Sequence, residues 1–360
     1  MTTLKENMRK KVSLEPVGFV LPKPELHHFT DVHEFSTAVK EQKESLEMID
    51  PDPFFHGIDI DGTVVGTDYR LSHAAFSDLC HLCSKPVPVT FIKNLARVNE
   101  VMALDVLAES IRCFFRRGQH KKFVVDSRTN RVEGIVGADS YSPISHEDVI
   151  DYALTANPSL QFSNGWLSGP VMRMTATVST APVEPAKGDL IEFGVNIDNA
   201  IHGDRSVHVC DYALRLSCTN GMTARTGEHM TRIRHVGDVH YNVQRAVVVA
   251  ANTAEEMFPL MEMASRHVLD EDEITRVRTY LADPKNGGGS TFEQTARDFA
   301  VQEAHDEGRE EGEVTLWNFV NGVTQTAHTV KSLQRKTDIE ALGYATLVRY
   351  GVLLVKENAN

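Results

Sequence analysis

The 360 residues carry 37 Lys and Arg against 50 Asp and Glu, a formal net charge of −13, with 41% hydrophobic and 24% charged residues. These proportions exclude a chain disordered throughout and a uniformly basic nucleic-acid binder, and the length suits one large domain or two ordinary ones. Five cysteines, an odd number in so long a chain, argue against a disulfide framework. No run nears the ~18 apolar residues of a membrane span, so the chain reads as a soluble, cytoplasmic protein with no membrane partner.

In chain order, residues 1–50 form a polar segment whose amphipathic stretch, Val32–Leu46, suits a helix. Apolar alternation then flanks Asp61-Gly62, where Gly tolerates the positive φ of a two-residue hairpin turn. Ser72 stands ready to cap a helix through Ala74–Cys83, with Pro86 and Pro88 to stop it. A further helix fits Val101–Arg117, with Val101, Leu104, Leu107, Ile111 and Phe115 on one stripe. Lys121–Tyr141 reads as a second hairpin turning at Ser127–Asn130, and Ser145 with Asp148 forms a capping pattern for a helix over Glu147–Leu154.

From Gln161 to Arg234 the period is two, with strands expected at Gly169–Thr180, Asp189–Asp198 and Val207–Cys218. After Tyr241 it becomes helical. The helices expected there are Val243–Leu269, Asp272–Leu281, Thr291–Glu307, Val314–Lys331 and Ile339–Val355, with Asn286–Ser290 as a flexible joint. The fold class is therefore α+β: a mixed antiparallel, sheet-rich N-terminal part with hairpins, followed by a helical C-terminal part. The divisions fall at 1–50, 51–240 and 241–360.

Charge is distributed unevenly. Residues 251–313 hold sixteen acidic and six basic residues, whereas 112–131 hold seven basic residues and one Asp. Cys80 and Cys83 have metal-ligand spacing, but His235 and His240 lie some 150 residues away, and Cys80 fits an apolar helix stripe as a core residue. There is no phosphate-binding Gly-rich loop, no H-E-x-x-H and no G-x-S-x-G. No catalytic residue, metal or cofactor is expected.

The basic stretch has a sharper meaning. Arg112 and Arg116 are one helical turn apart, with Arg117 beside them. Lys121 and Lys122 open the next strand, and Arg128 and Arg131 flank its turn. Phe114, Phe115 and Phe123 are interleaved. Cations on a hairpin suit a phosphate backbone and aromatics suit bases. Arg232 and Arg234 alternate with Ile233, which puts both on one strand face with His235 opposite, a plausible anion site. A solvated basic face, or pairing with the acidic segment, is the plainer alternative.

R-L-S-C-T-N-G-M at Arg215–Met222, with Asn220-Gly221 as a turn, and R-x-R-H at Arg232–His235 resemble the phage/plasmid-like family called Domain of Unknown Function 932. The helix and proline step from Leu71 to Leu95, and TLWNFVNGVTQTAHTV with Asn321, Thr324 and His328, resemble that family's other segments. The resemblance spans roughly 54–345. Ser217 departs from the family's usual aliphatic residue and leaves the match intact.

The resemblance implies an origin in a phage, prophage or plasmid and supplies no activity of its own. The run 121–156 is loosely similar to the β-β-α core of the eukaryotic-type single-strand annealing superfamily. The expectation is a non-enzymatic, homo-oligomeric binder of single-stranded nucleic acid that promotes annealing or recombination. Arg112, Arg116, Arg117, Lys121, Lys122, Arg128 and Arg131 would track the backbone, extended by Arg232 and Arg234. The acidic 251–313 segment would contact a protein partner. The alternative is a self-assembling structural or interaction protein in which the basic and acidic segments pair.

Overall fold

The computed structural model describes residues 21, 25–50, 57–59, 61–83, 89–115, 121–137, 141, 144–178, 181–201, 206–216, 220–223, 230–307, 313–330 and 333–358. The chain divides into two compact units. One comprises Met1–Pro24, Glu41–Pro143 and Ile201–Asp204, and the other Glu25–Lys40, Ile144–Ala200 and Arg205–Asn360. The first described elements are β1 (Leu26–Phe29) and α1 (Val32–Ser45), and the division passes through α1. The change from strands to helices near residue 240 lies inside the second unit.

The first unit is built on a four-stranded mixed sheet. Its strands are β2 (Leu46–Ile49), β3 (Arg70–Leu71), β4 (Lys121–Asp126) and β5 (Arg131–Gly137), in the order β2-β4-β5-β3, with β3 parallel to β5. Its helices are α2 (His73–Cys83), α3 (Val89–Val98) and α4 (Glu100–Phe115). Ser72 caps α2 through the Ala75 N–H at 3.1 Å, as its position before an apolar run requires. Phe123, Val125, Val132 and Ile135 of the hairpin close on Phe76, Leu79, Ile92 and Leu107 of the helices. The hairpin turns at Ser127–Asn130, where Asn130 takes φ 51°, a left-handed conformation Asn tolerates. Gly62, at φ 87°, makes the earlier turn between the bridged Ile58 and Val64. Pro86 and Pro88 lie outside the described residues.

The second unit holds an eight-stranded antiparallel sheet. After α5 (His146–Ala156) come β6 (Leu160–Ser168), β7 (Val171–Val178), β8 (Val183–Ala186), β9 (Asp189–Ala200), β10 (Val207–Arg215), β11 (Asn220–Thr223) and β12 (Met230–Ile233). The order is β1-β6-β7-β9-β10-β11, with β12 also on β10 and β8 also on β9. Ser145 and Asp148 form the expected capping box on α5. Period-two alternation sorts the strands into two faces. Met172, Met174, Ala176, Val195, Ile197 and Val209 pack with Val149 and Ala153 of α5 and with Val243 and Val247 of α6 (Val239–Thr253). The opposite face is polar, and it carries the candidate site.

Three expectations are corrected. The single helix expected over 243–269 is two, α6 and α7 (Phe258–Arg266), joined by a 3-10 turn at Ala254–Met257. Pro259 stands in the first turn of α7, where its missing N–H costs nothing but cannot continue α6. Asn220 and Gly221 are not turn residues: they pair with Arg215 and Leu214 as the start of β11, so the chain reverses before them. The remaining helices are α8 (Glu271–Ala282), α9 (Ser290–Asp306), α10 (Leu316–Gln325) and α11 (Leu333–Asn358).

The third correction concerns Asn286–Ser290, which is a packed turn. Gly287 takes φ 85°, and its carbonyl accepts from Arg335 Nη1 at 2.5 Å. A Cβ on Gly288 would lie 1.7 Å from the Leu281 carbonyl oxygen. Gly288→Ala is therefore expected to destabilise the protein by about 1–3 kcal/mol, the usual cost of overpacking, read as a lowered urea midpoint. An unchanged midpoint would mean that the turn moves freely.

The acidic segment spends much of its charge locally. Asp270 and Glu273 form the capping box of α8, Glu262 pairs with Arg266 at 2.5 Å, and Glu293 with Arg278 at 2.5 Å. Among the described residues no helix is long and apolar enough to cross a membrane.

Candidate functional site

On the polar face of the second unit's sheet, one row of directly opposed residues crosses six strands. His28 on β1 faces Trp166 on β6, Trp166 faces Arg173 on β7, and Arg173 faces Asp198 on β9. Asp198 in turn faces His208 on β10, and His208 faces Arg232 on β12. Residues opposed in this way project from the same face, so sheet register alone brings together side chains more than 200 positions apart in sequence.

The row's centre is buried. Arg173 is 0% exposed. Its Nε donates to Asp198 at 2.9 Å and its Nη1 to Glu340 of α11 at 2.6 Å, while Nη2 has no hydrogen-bond partner among the described residues. Burial works against the guanidinium's charge, but the two carboxylates outweigh it and raise its pKa. Lys336, one helical turn before Glu340, places its ammonium 4.9 Å from the Trp166 ring centre. His28 stacks on the same indole at 4.8 Å. Burial lowers the pKa of Lys336, and burial with the Lys336 charge lowers those of His28 and His328.

At its other end the row opens into a cleft of about 570 Å³. Asp198, His208 and Arg232 line it from the sheet, Arg335 and Asp338 from α11, and Lys285 from the turn after α8. The volume falls within the roughly 300–1,000 Å³ of sites that hold small ligands. Arg232 is exposed and makes no ion pair among the described residues, as does Lys285.

Arg215 of the R-L-S-C-T-N-G-M stretch lies elsewhere, in a second cluster of one guanidinium and two carboxylates. It pairs with Asp189 and Glu303. Trp317 Nε1 donates to Asp189 at 2.6 Å, and Asn321 Nδ2 to Glu303 at 2.9 Å. Burial pushes the Glu303 carboxyl up to about 7, against the pull of Arg215 and the Asn321 hydrogen bond. Thr324 is buried and donates to the Asn321 carbonyl. These motif residues hold helices α9 and α10 to the sheet.

The expected basic residues fall in both units. Arg112 is on α4 with its side chain outside the described residues, and Arg116 and Arg117 lie outside them altogether. Lys121 and Lys122 are half-buried at the start of β4. Arg128 lies 3.6 Å from Glu41 and 3.4 Å from Asp126, and Arg131 lies 3.9 Å from Glu133. Phe123, expected among the stacking aromatics, is instead fully buried in the core. Arg232 and Arg234 are exposed on either side of buried Ile233, with His235 also buried. Those two belong to the second unit.

Sequence reasoning missed Arg173, Lys285 and Arg335. An Arg inside the apolar run Val171–Val178 was the signal for the first. Lys285 stands in no basic run, and Arg335 belongs only to the short Lys331–Lys336 stretch. Among the described residues no group of three His, Cys, Asp or Glu side chains is placed to hold a metal ion.

No curated protein and no solved structure matches the chain significantly. A family model described as a domain of unknown function, DUF932, matches residues 135–346, more than half of the chain. The match begins well after residue 54, where the resemblance in sequence was expected to start, and it takes in both guanidinium clusters and every residue that lines the cleft. The chain therefore belongs to the DUF932 family.

Proposed function

We propose that this DUF932 protein binds single-stranded nucleic acid without a chemical step, as a cytoplasmic homo-oligomer of phage or plasmid type, and so promotes annealing or recombination. The observation that carries the reading is the cleft cation Arg232, exposed and opposed by no ion pair among the described residues, with Lys285 and Arg335 on the facing walls. Three cations around one concavity favour a polyanion, because neutralising its phosphates releases the counterions condensed on it. Lys121 and Lys122 add a second basic point on the first unit. Arg128 and Arg131 contribute less, because nearby carboxylates already screen them.

Fluorescence anisotropy with an oligo-dT strand and an equally long duplex, across a salt series, tests the proposal. The single strand is expected to bind more tightly, with affinity falling as salt rises. Arg232→Glu with Lys285→Glu is expected to weaken binding at least tenfold and to flatten the salt slope by about 0.7 per lost phosphate contact. Both side chains are exposed, so the circular dichroism spectrum is expected to stay the same. No affinity at low salt would overturn the proposal. Assembly that dissolves with salt in the absence of DNA would then favour a self-assembling structural protein.

A further inference from the structure

The geometry points to a site for one nucleotide unit in this cleft: its cations take the phosphate, and its carboxylates take N–H or O–H donors of the base or sugar. The inference rests on the nucleic-acid reading and names the piece of ligand the cleft recognises.

Two walls carry it. On the sheet wall, Asp198, His208 and Arg232 are consecutive in the cross-strand row. Two strand spacings separate Asp198 from Arg232, about 10 Å. On the helix wall, Arg335 and Asp338 are three residues apart and so share one face of α11. Each wall thus presents a cation and a carboxylate. A groove that only tracked phosphates would carry cations alone, because every carboxylate on its wall repels the backbone it is meant to hold.

A nucleotide instead joins an anion to neutral hydroxyl and amino donors, and a carboxylate accepts from both kinds of donor. Asp198 is held in place from behind by Arg173 at 2.9 Å. Arg335 is fixed by the Gly287 carbonyl and lies 5.6 Å from the Phe292 ring centre. Val171, Leu333, Ala341 and Leu342 give the cleft apolar surface for the face of a base. The site is therefore pre-formed on both walls, and about 570 Å³ limits it to a small ligand or one unit of a chain.

Isothermal titration of the intact protein with ribo- and deoxyribonucleoside monophosphates, and separately with inorganic phosphate, tests this. At least one nucleoside monophosphate is expected to bind tenfold or more tighter than inorganic phosphate. Arg232→Ala is expected to weaken both ligands. Asp338→Asn is expected to weaken the nucleotide severalfold while leaving inorganic phosphate no weaker, because the loss of a nearby negative charge favours an anion. Ala341→Phe, which fills the cleft, is expected to abolish nucleotide binding, and it decides the matter if the Asp338 variant does not fold.

Equal affinity for phosphate and nucleotide, or nucleotide binding indifferent to both Asp338→Asn and Ala341→Phe, would overturn the inference. An oligonucleotide bound without any response to monophosphates would overturn it too and leave the nucleic-acid proposal standing. Monophosphates bound without oligonucleotide affinity would do the reverse.

Discussion

Replacing Arg173 with Met is expected to destabilise the second unit by about 3–5 kcal/mol, the cost of removing one partner from a buried ion pair. Two carboxylates share this guanidinium, and they differ in what becomes of them. The Asp198 side chain is 19% exposed and can turn to water, whereas that of Glu340 is 3% exposed and cannot. Glu340 would lose a donor at 2.6 Å, with the Lys336 charge left to attract it. The charge stranded at Glu340 therefore carries most of the cost.

Adding Glu340→Leu to Arg173→Met is expected to recover part of the loss, because an apolar pair strands no charge. Urea unfolding of the two variants checks this. A single variant costing less than about 1 kcal/mol, or a double variant worse than the single, would show that the guanidinium contributes little. The same substitution is expected to weaken ligand binding in the cleft, since Asp198 loses the hydrogen bond that fixes it.

Local patterning made the elements legible and long-range pairing hid the site. Ser72 and Ser145 announced their helices because a cap acts over three residues. The hairpin at Ser127–Asn130 and the period-two strands were equally local. The Pro259 break was visible in composition but competed with an apolar period that runs straight through it. Arg173 and Glu340 are 167 positions apart and meet only because β7 lies under α11, a matter of topology no spacing encodes.

Arg215 stood out within a motif, yet its partners Asp189 and Glu303 come from another strand and a helix nearly 90 residues on, so its part in holding them together was not readable. Net charge misled in a similar way. The acidic 251–313 segment looked like one surface, and much of it is caps and pairs. Arg232 was legible as a strand-face cation. The cleft it lines needed Lys285 and Arg335, residues whose significance depends on the fold alone.

Raising the pH from 5 to 8 is expected to destabilise each unit, through Glu133 in the first and Glu303 in the second. Burial pushes both carboxyls from 4.5 up to about 7, with a neighbouring arginine opposing in each case. A folded-state pKa above the unfolded one means the folded chain holds the proton more tightly. The stabilisation is complete below 4.5 and is lost as pH rises through about 7. One pKa unit corresponds to about 1.4 kcal/mol, which puts the loss between pH 5 and 8 at about 2 kcal/mol for each carboxyl.

The half-buried His28 and His328 act in the opposite sense. Their folded pKa values lie below 6.5, so they cost stability only as pH falls beneath that value. The two effects separate above pH 6.5, where these two histidines no longer act against the carboxyls. Thermal unfolding across pH 6.5–8 is expected to show a falling midpoint. Glu303→Gln is expected to flatten the second unit's part of that fall, and Glu133→Gln the first unit's. Glu303 shares Arg215 with Asp189, so two carboxylates there face one cation and a single proton relieves the excess charge. A slope unaltered by Glu303→Gln would place that proton on another group of the cluster.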